Sequence, residues 1–434
     1  MTVIGLPADR PETPPVTRPS DAPMEALPAA ISGKRLALGV LAASVVTMPL
    51  LRPAGPGNSG PADVAIALAI AATLYWAGSA KIRLRVPYAA PVGLLVIAGA
   101  LAALVSGRSG LGAIALTQDL ILLTWAAAIA NVGREPSAVR TLLRVWALSS
   151  IVWAGVLVVA VVAGNVSVSG INARNGGRAM LTFGDANLAA SYFVVSIMIV
   201  VAARYPRNGF LRLGGMLLLL GALATTGSNG AFIALAAAAV VVLVASAARR
   251  FGLVPTTLLV AVVVPFAVAA AVQFPYGDLR RQSADPRSAL HQSFGRLSES
   301  TGSRSLVLRD DLRLYFSSTP AGIGPGATKP TLISEQNLYA KEAHNDYVGT
   351  LAERGVLGAL ALFLLICAIV TRSIAIVRQP RSPELVAAVP RPSALVAALT
   401  ALAVSALFYE VLHFRHLWAL LGIVAALQLA GRRE

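Results

Sequence analysis

His344-Asn345-Asp346-Tyr347 stands where a long hydrophilic stretch gives way to an apolar run. The chain has only four histidines, so one at such a border needs a reason. Histidine has an ordinary pKa near ~6.5 and can accept a proton at neutral pH. The positive end of a helix starting there would favour the neutral, basic ring and attract anions. One reading of His344 is therefore a general base working at a membrane surface. The other is an interfacial cap that hydrogen-bonds lipid headgroups. Asn345 and Asp346 are suited to satisfy the free backbone amides of a first helical turn.

The remaining polar residues near apolar runs have blander readings. Glu353 and Arg354 follow His344 within three turns and can pair with each other at the interface. Gly355 and Gly358 suit close helix packing. Asp119 falls inside an apolar run, where an ionisable group is either functional or near a helix end. Glu410, His413, Arg415 and His416 cluster between the last two apolar runs, as mutual ion pairs or as the rim of a site. Asp310-Asp311 is flanked by Arg309 and Arg313. Helical neighbours point ~100° apart, so the pair reads as salt-bridged surface. Trp76 and Trp125 read as interfacial or packing residues. The polar loops hold no acidic metal cluster, so neither a metal nor a cofactor is expected.

Composition fixes the class. Of 434 residues, 56% are hydrophobic and 13% charged, and mean hydropathy is +0.71. Many runs approach the ~20 apolar residues that cross a bilayer, and in lipid such runs must be helices. The net charge of +16 sits mainly in short loops between apolar runs, which orients membrane helices and argues against nucleic acid as a partner. Cys367, the single cysteine, lies in an apolar run, which excludes a disulfide framework and a thiolate metal site.

The fold expected is an all-α polytopic membrane protein of about twelve transmembrane helices. The runs lie near 36–51, 62–80, 86–106, 111–130, 145–164, 187–203, 211–226, 230–248, 253–274, 346–371, 394–411 and 416–430. Residues 1–33 read as a disordered cytoplasmic tail, 34–274 as helices one to nine, 275–343 as a large extracytoplasmic loop with short helices, and 344–434 as helices ten to twelve. Within the loop, Ser303 can cap a helix through about Phe316, with Leu308, Leu312 and Tyr315 on one face. Pro320 ends it, and Ala321-Gly322-Ile323-Gly324-Pro325-Gly326 is a tight turn.

Four separated elements carry a resemblance. They are Arg178-Ala179-Met180-Leu181-Thr182-Phe183-Gly184-Asp185-Ala186-Asn187-Leu188-Ala189, Thr225-Thr226-Gly227-Ser228-Asn229-Gly230-Ala231, Arg304 with Pro320–Gly326, and His344-Asn345 with Glu353, Gly355 and Gly358. In order and spacing this set resembles the O-antigen ligase/O-antigen polymerase superfamily of bacterial membrane glycosyltransferases. The resemblance implies a GT-C-like architecture in the bacterial cytoplasmic (inner) membrane, with an extracytoplasmic active site. It implies a polyprenyl-pyrophosphate-linked glycan donor, and a glycan, lipid or protein acceptor at the bilayer. His344 would be the catalytic base, and Arg178 and Arg304 would converge on the pyrophosphate through their forked guanidinium groups. Asn187, Asn229, Arg309, Asn345 and Glu353 would support them. Asn229 stands where many relatives carry arginine, so another cation must do that work or the donor differs.

A ligase and a repeat-unit polymerase need the same base and cations. A secondary transporter or flippase is the competing class, but transporters gather polar residues near the midplane, often in repeated halves. Here they gather at one face and in one loop. With both termini inside, the arginine-rich loops fall on the cytoplasmic side. Cysteine-accessibility labelling should then reach residues 275–343 from outside and 131–144 from inside; labelling of both from one side would reject this topology.

Overall fold

The computed structural model describes residues 26–54, 59–171, 177–252, 254–258, 261, 297–337, 343–378 and 382–431. No strand occurs among them. The helices are α1 (Ala26–Val46), α2 (Pro61–Ser79), α3 (Ala89–Val105), α4 (Ser109–Val132), α5 (Pro136–Val162), α6 (Val166–Ser169), α7 (Ala186–Ala203), α8 (Gly209–Thr225) and α9 (Asn229–Phe251). They continue as α10 (Leu297–Phe316), α11 (Thr328–Ser334), α12 (Asp346–Arg378), α13 (Pro383–Ala388), α14 (Ser393–Ser405) and α15 (Arg415–Gly431). Six of these, α2, α4, α5, α7, α9 and α12, are long and apolar enough to cross a membrane, and α3, α8, α14 and α15 are shorter apolar helices. The arrangement fits a polytopic membrane protein.

Every expected apolar run except 253–274 falls on a helix, and most of that run lies outside the described residues. Several boundaries differ. Helix α1 covers Ala26–Val46, so it begins inside the stretch expected as a disordered tail and stops short of 51, and α12 runs on to Arg378. Helix α5 begins at Pro136 rather than near 145, because proline is favoured in the first turn and Val139, Leu142 and Leu143 are buried there. Helix α14 stops at Ser405 rather than 411. The chain beyond it is held as a loop by the start of α12: Asp346 N donates to Ala406 O at 2.9 Å, and the Asp346 carboxylate accepts from the Val411 and Leu412 amides at 2.6 and 3.1 Å. Asp346 thus holds this loop rather than its own first turn, where the sequence places it as a cap. Asn345 alone caps that turn, accepting from Tyr347 N and Val348 N at 2.9 and 3.1 Å.

Helices α7 and α15 form the centre, with nearly every α15 residue buried. Buried tryptophans tie helices together: Trp146 Nε1 of α5 donates to Ser196 Oγ of α7, and Trp125 Nε1 of α4 to Ser44 Oγ of α1, each at 3.1 Å. Gly422 lets α15 approach α4, where an added Cβ would lie 2.8 Å from Ala126 O. Outside, Leu104, Val162, Phe210 and Leu243 are exposed, as suits a solvent of lipid tails that are themselves apolar. Successive loops gather at opposite ends. At one end Thr182 Oγ1 donates to Pro49 O, Arg178 reaches Thr226 O, and Arg108 reaches Ala327 O. At the other, Lys34 pairs with Glu135, Asn131 bonds Arg85 O, and Arg372 bonds Gln428.

Helix α12 is broken. Gly355 has φ 63° and ψ −164°, a conformation glycine reaches without a Cβ clash. The turn after α10 closes over the break: Ile323 N donates to Ala352 O at 2.9 Å, Gly324 N to Glu353 O at 3.0 Å, and Val356 N to Pro320 O at 3.1 Å. Backbone groups that lose their helical partners are thus satisfied by the turn. A Cβ on Gly355 would lie 2.0 Å from Pro320 O. Gly355→Ala should therefore cost at least about 2–3 kcal/mol, from positive-φ strain and the forced opening of the turn. Thermal unfolding in detergent should show the loss, whereas Gly214→Ala, with open space around its Cβ position, should unfold like the parent.

Candidate functional site

His344 lies two residues before α12, at the end of the bundle where the turn closes. It lines a polar cavity of about 550 Å³ whose walls come from five chain segments, one of them α4 through Gln118. The loop after α1 supplies Arg52, the approach to α7 supplies Gly184, Asp185 and Asn187, and the loop between α14 and α15 supplies Tyr409, Glu410, His413 and Arg415. Asp185 caps α7, its Oδ1 accepting from Asn187 N and Leu188 N at 2.7 and 3.0 Å. That cap fixes the direction in which Asn187 leaves the helix.

Behind this wall the first two motif elements meet. Arg178 Nε donates to Thr226 O at 2.7 Å, and its Nη2 donates to Asn187 Oδ1 at 2.5 Å. Ala179 N donates to Thr225 O at 3.1 Å. Ser228 Oγ donates to Asn187 Oδ1 at 3.1 Å and shares a hydrogen bond with Tyr409 at 3.0 Å. Arg178 therefore sets Asn187 and Tyr409 on the cavity wall from half-buried cover. Asn229 opens α9, and its side chain makes no hydrogen bond among the described residues.

His344 also lines a second, smaller cavity of about 260 Å³, with Asn345, Phe408, Ser305 and Asp311. Asp311 is fully buried and neither carboxylate oxygen has a hydrogen-bond partner among the described residues. The salt-bridged surface expected here is half right. Asp310 takes Arg313 at 3.6 Å and Asn337 Nδ2 at 2.9 Å, while Asp311 turns inward with Val307 and Leu314. This is the buried face of α10, in place of Leu308, Leu312 and Tyr315. The helix also starts before Ser303, at Leu297. Arg309 is exposed and lines neither cavity. Arg304 lies on α10, but its side chain is outside the described residues, and so is its expected convergence with Arg178.

Glu353 and Arg354 do not pair with each other. The Glu353 carboxylate accepts from Gly326 N at 2.8 Å, and from Thr328 N and Oγ1 at 3.2 and 2.8 Å, locking the glycine turn to α11. Arg354 turns the other way into a buried ion pair with Asp119 at 2.7 Å and also donates to Leu95 O. In the 410–416 cluster, two of the four residues take partners elsewhere in the chain. Arg415 makes a forked pair with Asp63, with contacts of 2.9–3.1 Å, and His416 is buried against Ser191 at 3.0 Å. Burial holds His413 below its ordinary imidazole value, and its Nδ1 has no partner among the described residues. It is a second imidazole on the large cavity. His413 takes the rim position its cluster allowed, whereas the sequence does not single out Arg52, Tyr409 or Asp311 as site residues. Only their place beside polar turns hinted at them.

An apolar cavity of about 400 Å³ lies between α12 and α14. It starts at Asp346 and Tyr347, beside His344, and runs along Leu362, Ile366, Val370 and Leu399 to Arg378. No group of three or more His, Cys, Asp or Glu residues able to hold a metal occurs among the described residues.

Part of the chain matches a known family. Residues 214–363 match the O-antigen ligase family model. The O-antigen ligase match runs from α8 into the second half of α12, and so takes in Ser228, Arg304, the glycine turn, His344 and the Gly355 break. Arg52, Arg178, Asn187 and His413 lie outside it. It supports the O-antigen ligase/polymerase superfamily for this chain, with lipid-linked glycans as substrates and a bilayer as environment. No curated protein matches the chain.

Asp311 gives the site a pH signature. Burial pushes its carboxyl up to about 7 from 3.8, with repulsion from Glu353 and Asp310 adding to the rise. Between those values the folded protein keeps a proton that the unfolded chain has released, so stability falls as pH rises through that window and the cost is complete above about 7. Asp311→Asn should flatten this part of the pH profile, with its stability gain over the parent growing from pH 4 to pH 7.5. Thermal unfolding across that range checks it, and parallel profiles for the two proteins would rule it out.

Proposed function

We propose that this protein transfers a glycan from a polyprenyl pyrophosphate carrier to an acceptor hydroxyl on the outer face of the bacterial cytoplasmic membrane. The observation that carries the reading is His344, a family-matched residue that borders a polar cavity and stands beside the mouth of an apolar one. A lipid-linked substrate needs both surfaces within reach of one base.

In this mechanism His344 takes the proton of the acceptor hydroxyl as its oxygen attacks the anomeric carbon. The new glycosidic C–O bond forms while the bond to the pyrophosphate oxygen breaks, and the leaving polyprenyl pyrophosphate keeps the electron pair. Cations facing that oxygen stabilise the charge as it develops. Arg178 acts through Asn187, and Arg304 is the second cation that the family resemblance implies. No metal enters the scheme. The proton leaves His344 to solvent through the open cavity. A repeat-unit polymerase would run the same step with an acceptor still on its own carrier, and the family match embraces both reactions.

His344→Ala should lower transfer by roughly 10²–10⁴-fold, the usual scope of positioned acid–base catalysis, while leaving insertion and folding intact. Purified protein with a lipid-linked donor gives the measurement, with His413→Ala run in parallel. Near-normal transfer by His344→Ala together with a collapse in His413→Ala would move the base to the second imidazole.

A further inference from the structure

The arginines at this end of the bundle differ in what they already hold. Arg415, the other arginine on the large cavity, is neutralised by both oxygens of Asp63. Arg354 is neutralised by Asp119, and Arg108 is spent on Ala327 O and Thr331. Arg178 is engaged with Thr226 O and Asn187. Arg52 is different. It is exposed, it lines the cavity that His344 borders, and it makes no ion pair or hydrogen bond among the described residues.

Its placement is nevertheless fixed. The guanidinium lies against Gly184, where a Cβ would come within 2.8 Å of Nε and 3.1 Å of Nη2. Gly184 holds φ 78°, so glycine both makes the turn and clears the space. Thr182 Oγ1 donates to Pro49 O at 2.5 Å, binding the loop that carries Arg52 to the segment that carries Gly184, Asp185 and Asn187. A cation set against this turn, with its donors unspent and open to a polar cavity, is ready for an anion. Guanidinium is the group suited to two phosphate oxygens at once.

We infer that Arg52 binds a phosphate of the pyrophosphate donor directly, on the wall of the large cavity, and that Arg178 is a positioning residue behind it. This rests on the glycan-transfer reading above. It also supplies a cation for the work left open by asparagine at position 229, from a segment outside the family match.

The test uses the full chain in detergent with geranylgeranyl pyrophosphate as probe and geranylgeraniol as its uncharged counterpart. The parent should prefer the pyrophosphate, and Arg52→Ala should weaken its binding by about tenfold or more, the scale of a charge-assisted pair. Arg52→Lys should recover only part, because an ammonium lacks the fork. Arg207→Ala, exposed on a loop at the other end, should bind like the parent. Since Arg52 makes no hydrogen bond or ion pair among the described residues, its variants should unfold at the parent's temperature, and binding is compared at matched folding. Unchanged pyrophosphate binding in Arg52→Ala, with the preference over the alcohol kept, would overturn this inference and leave the glycan-transfer reading standing. A parent that binds both probes alike would overturn the donor reading itself, and Arg52 with it.

Discussion

A helix broken inside an apolar bundle leaves carbonyl and amide groups that must find partners, because unpaired backbone there costs several kcal/mol. In this protein the break at Gly355 and the turn Pro320–Gly326 satisfy each other. Much of the site follows from that one exchange. It docks the end of α10 on α12, sends Glu353 to the turn and Arg354 to Asp119, and holds the short helical piece Asp346–Arg354 in one direction. His344 stands at the head of that piece, so its position is set by backbone hydrogen bonds about three turns away.

Around His344 the polar residues divide into those already satisfied and those still open. Asp346, Asn345, Arg178, Ser228 and Arg415 have their hydrogen bonds or ion pairs within the fold. They hold loops from distant parts of the chain against one another. Arg52, His413 Nδ1 and the Asp311 carboxylate are the open groups among the described residues, and each faces or adjoins a cavity that His344 shares. Such a division suits transfer between two large substrates, where rigid walls must surround groups free to exchange partners.

The sequence made part of this legible. Hydropathy located the helices because apolar runs long enough to span a bilayer have few other uses. The end of the polar stretch located His344 and its cap at Asn345. What hydropathy could not see were matters of direction and distance. Gly355 read as a packing glycine, since its positive φ appears only with the Pro320 carbonyl beside it. Asp311 read as surface because the face of α10 that is buried depends on partners elsewhere in the chain. Glu353 and Arg354 read as a pair, although adjacent helical positions diverge and each found a partner on a different element. Arg415 found Asp63, 352 positions away, and Arg52 sits beside Gly184 only because Thr182 joins their loops. No local pattern encodes either meeting.

The buried pair of Asp119 and Arg354 also bears on how the chain is made. A lone charge near the middle of an inserted helix costs about 2.5–3.5 kcal/mol, and each of these charges is cancelled mainly by the other. Arg354 is synthesised 235 residues after Asp119, a delay on the order of 12–50 s at ordinary translation speeds. Through that interval α4 must stay in the bilayer with its carboxylate unmatched, carried by the apolar residues around it. The closing of the pair is thus a late event in biogenesis, and it marks the moment at which the front and back halves of the chain commit to a single bundle.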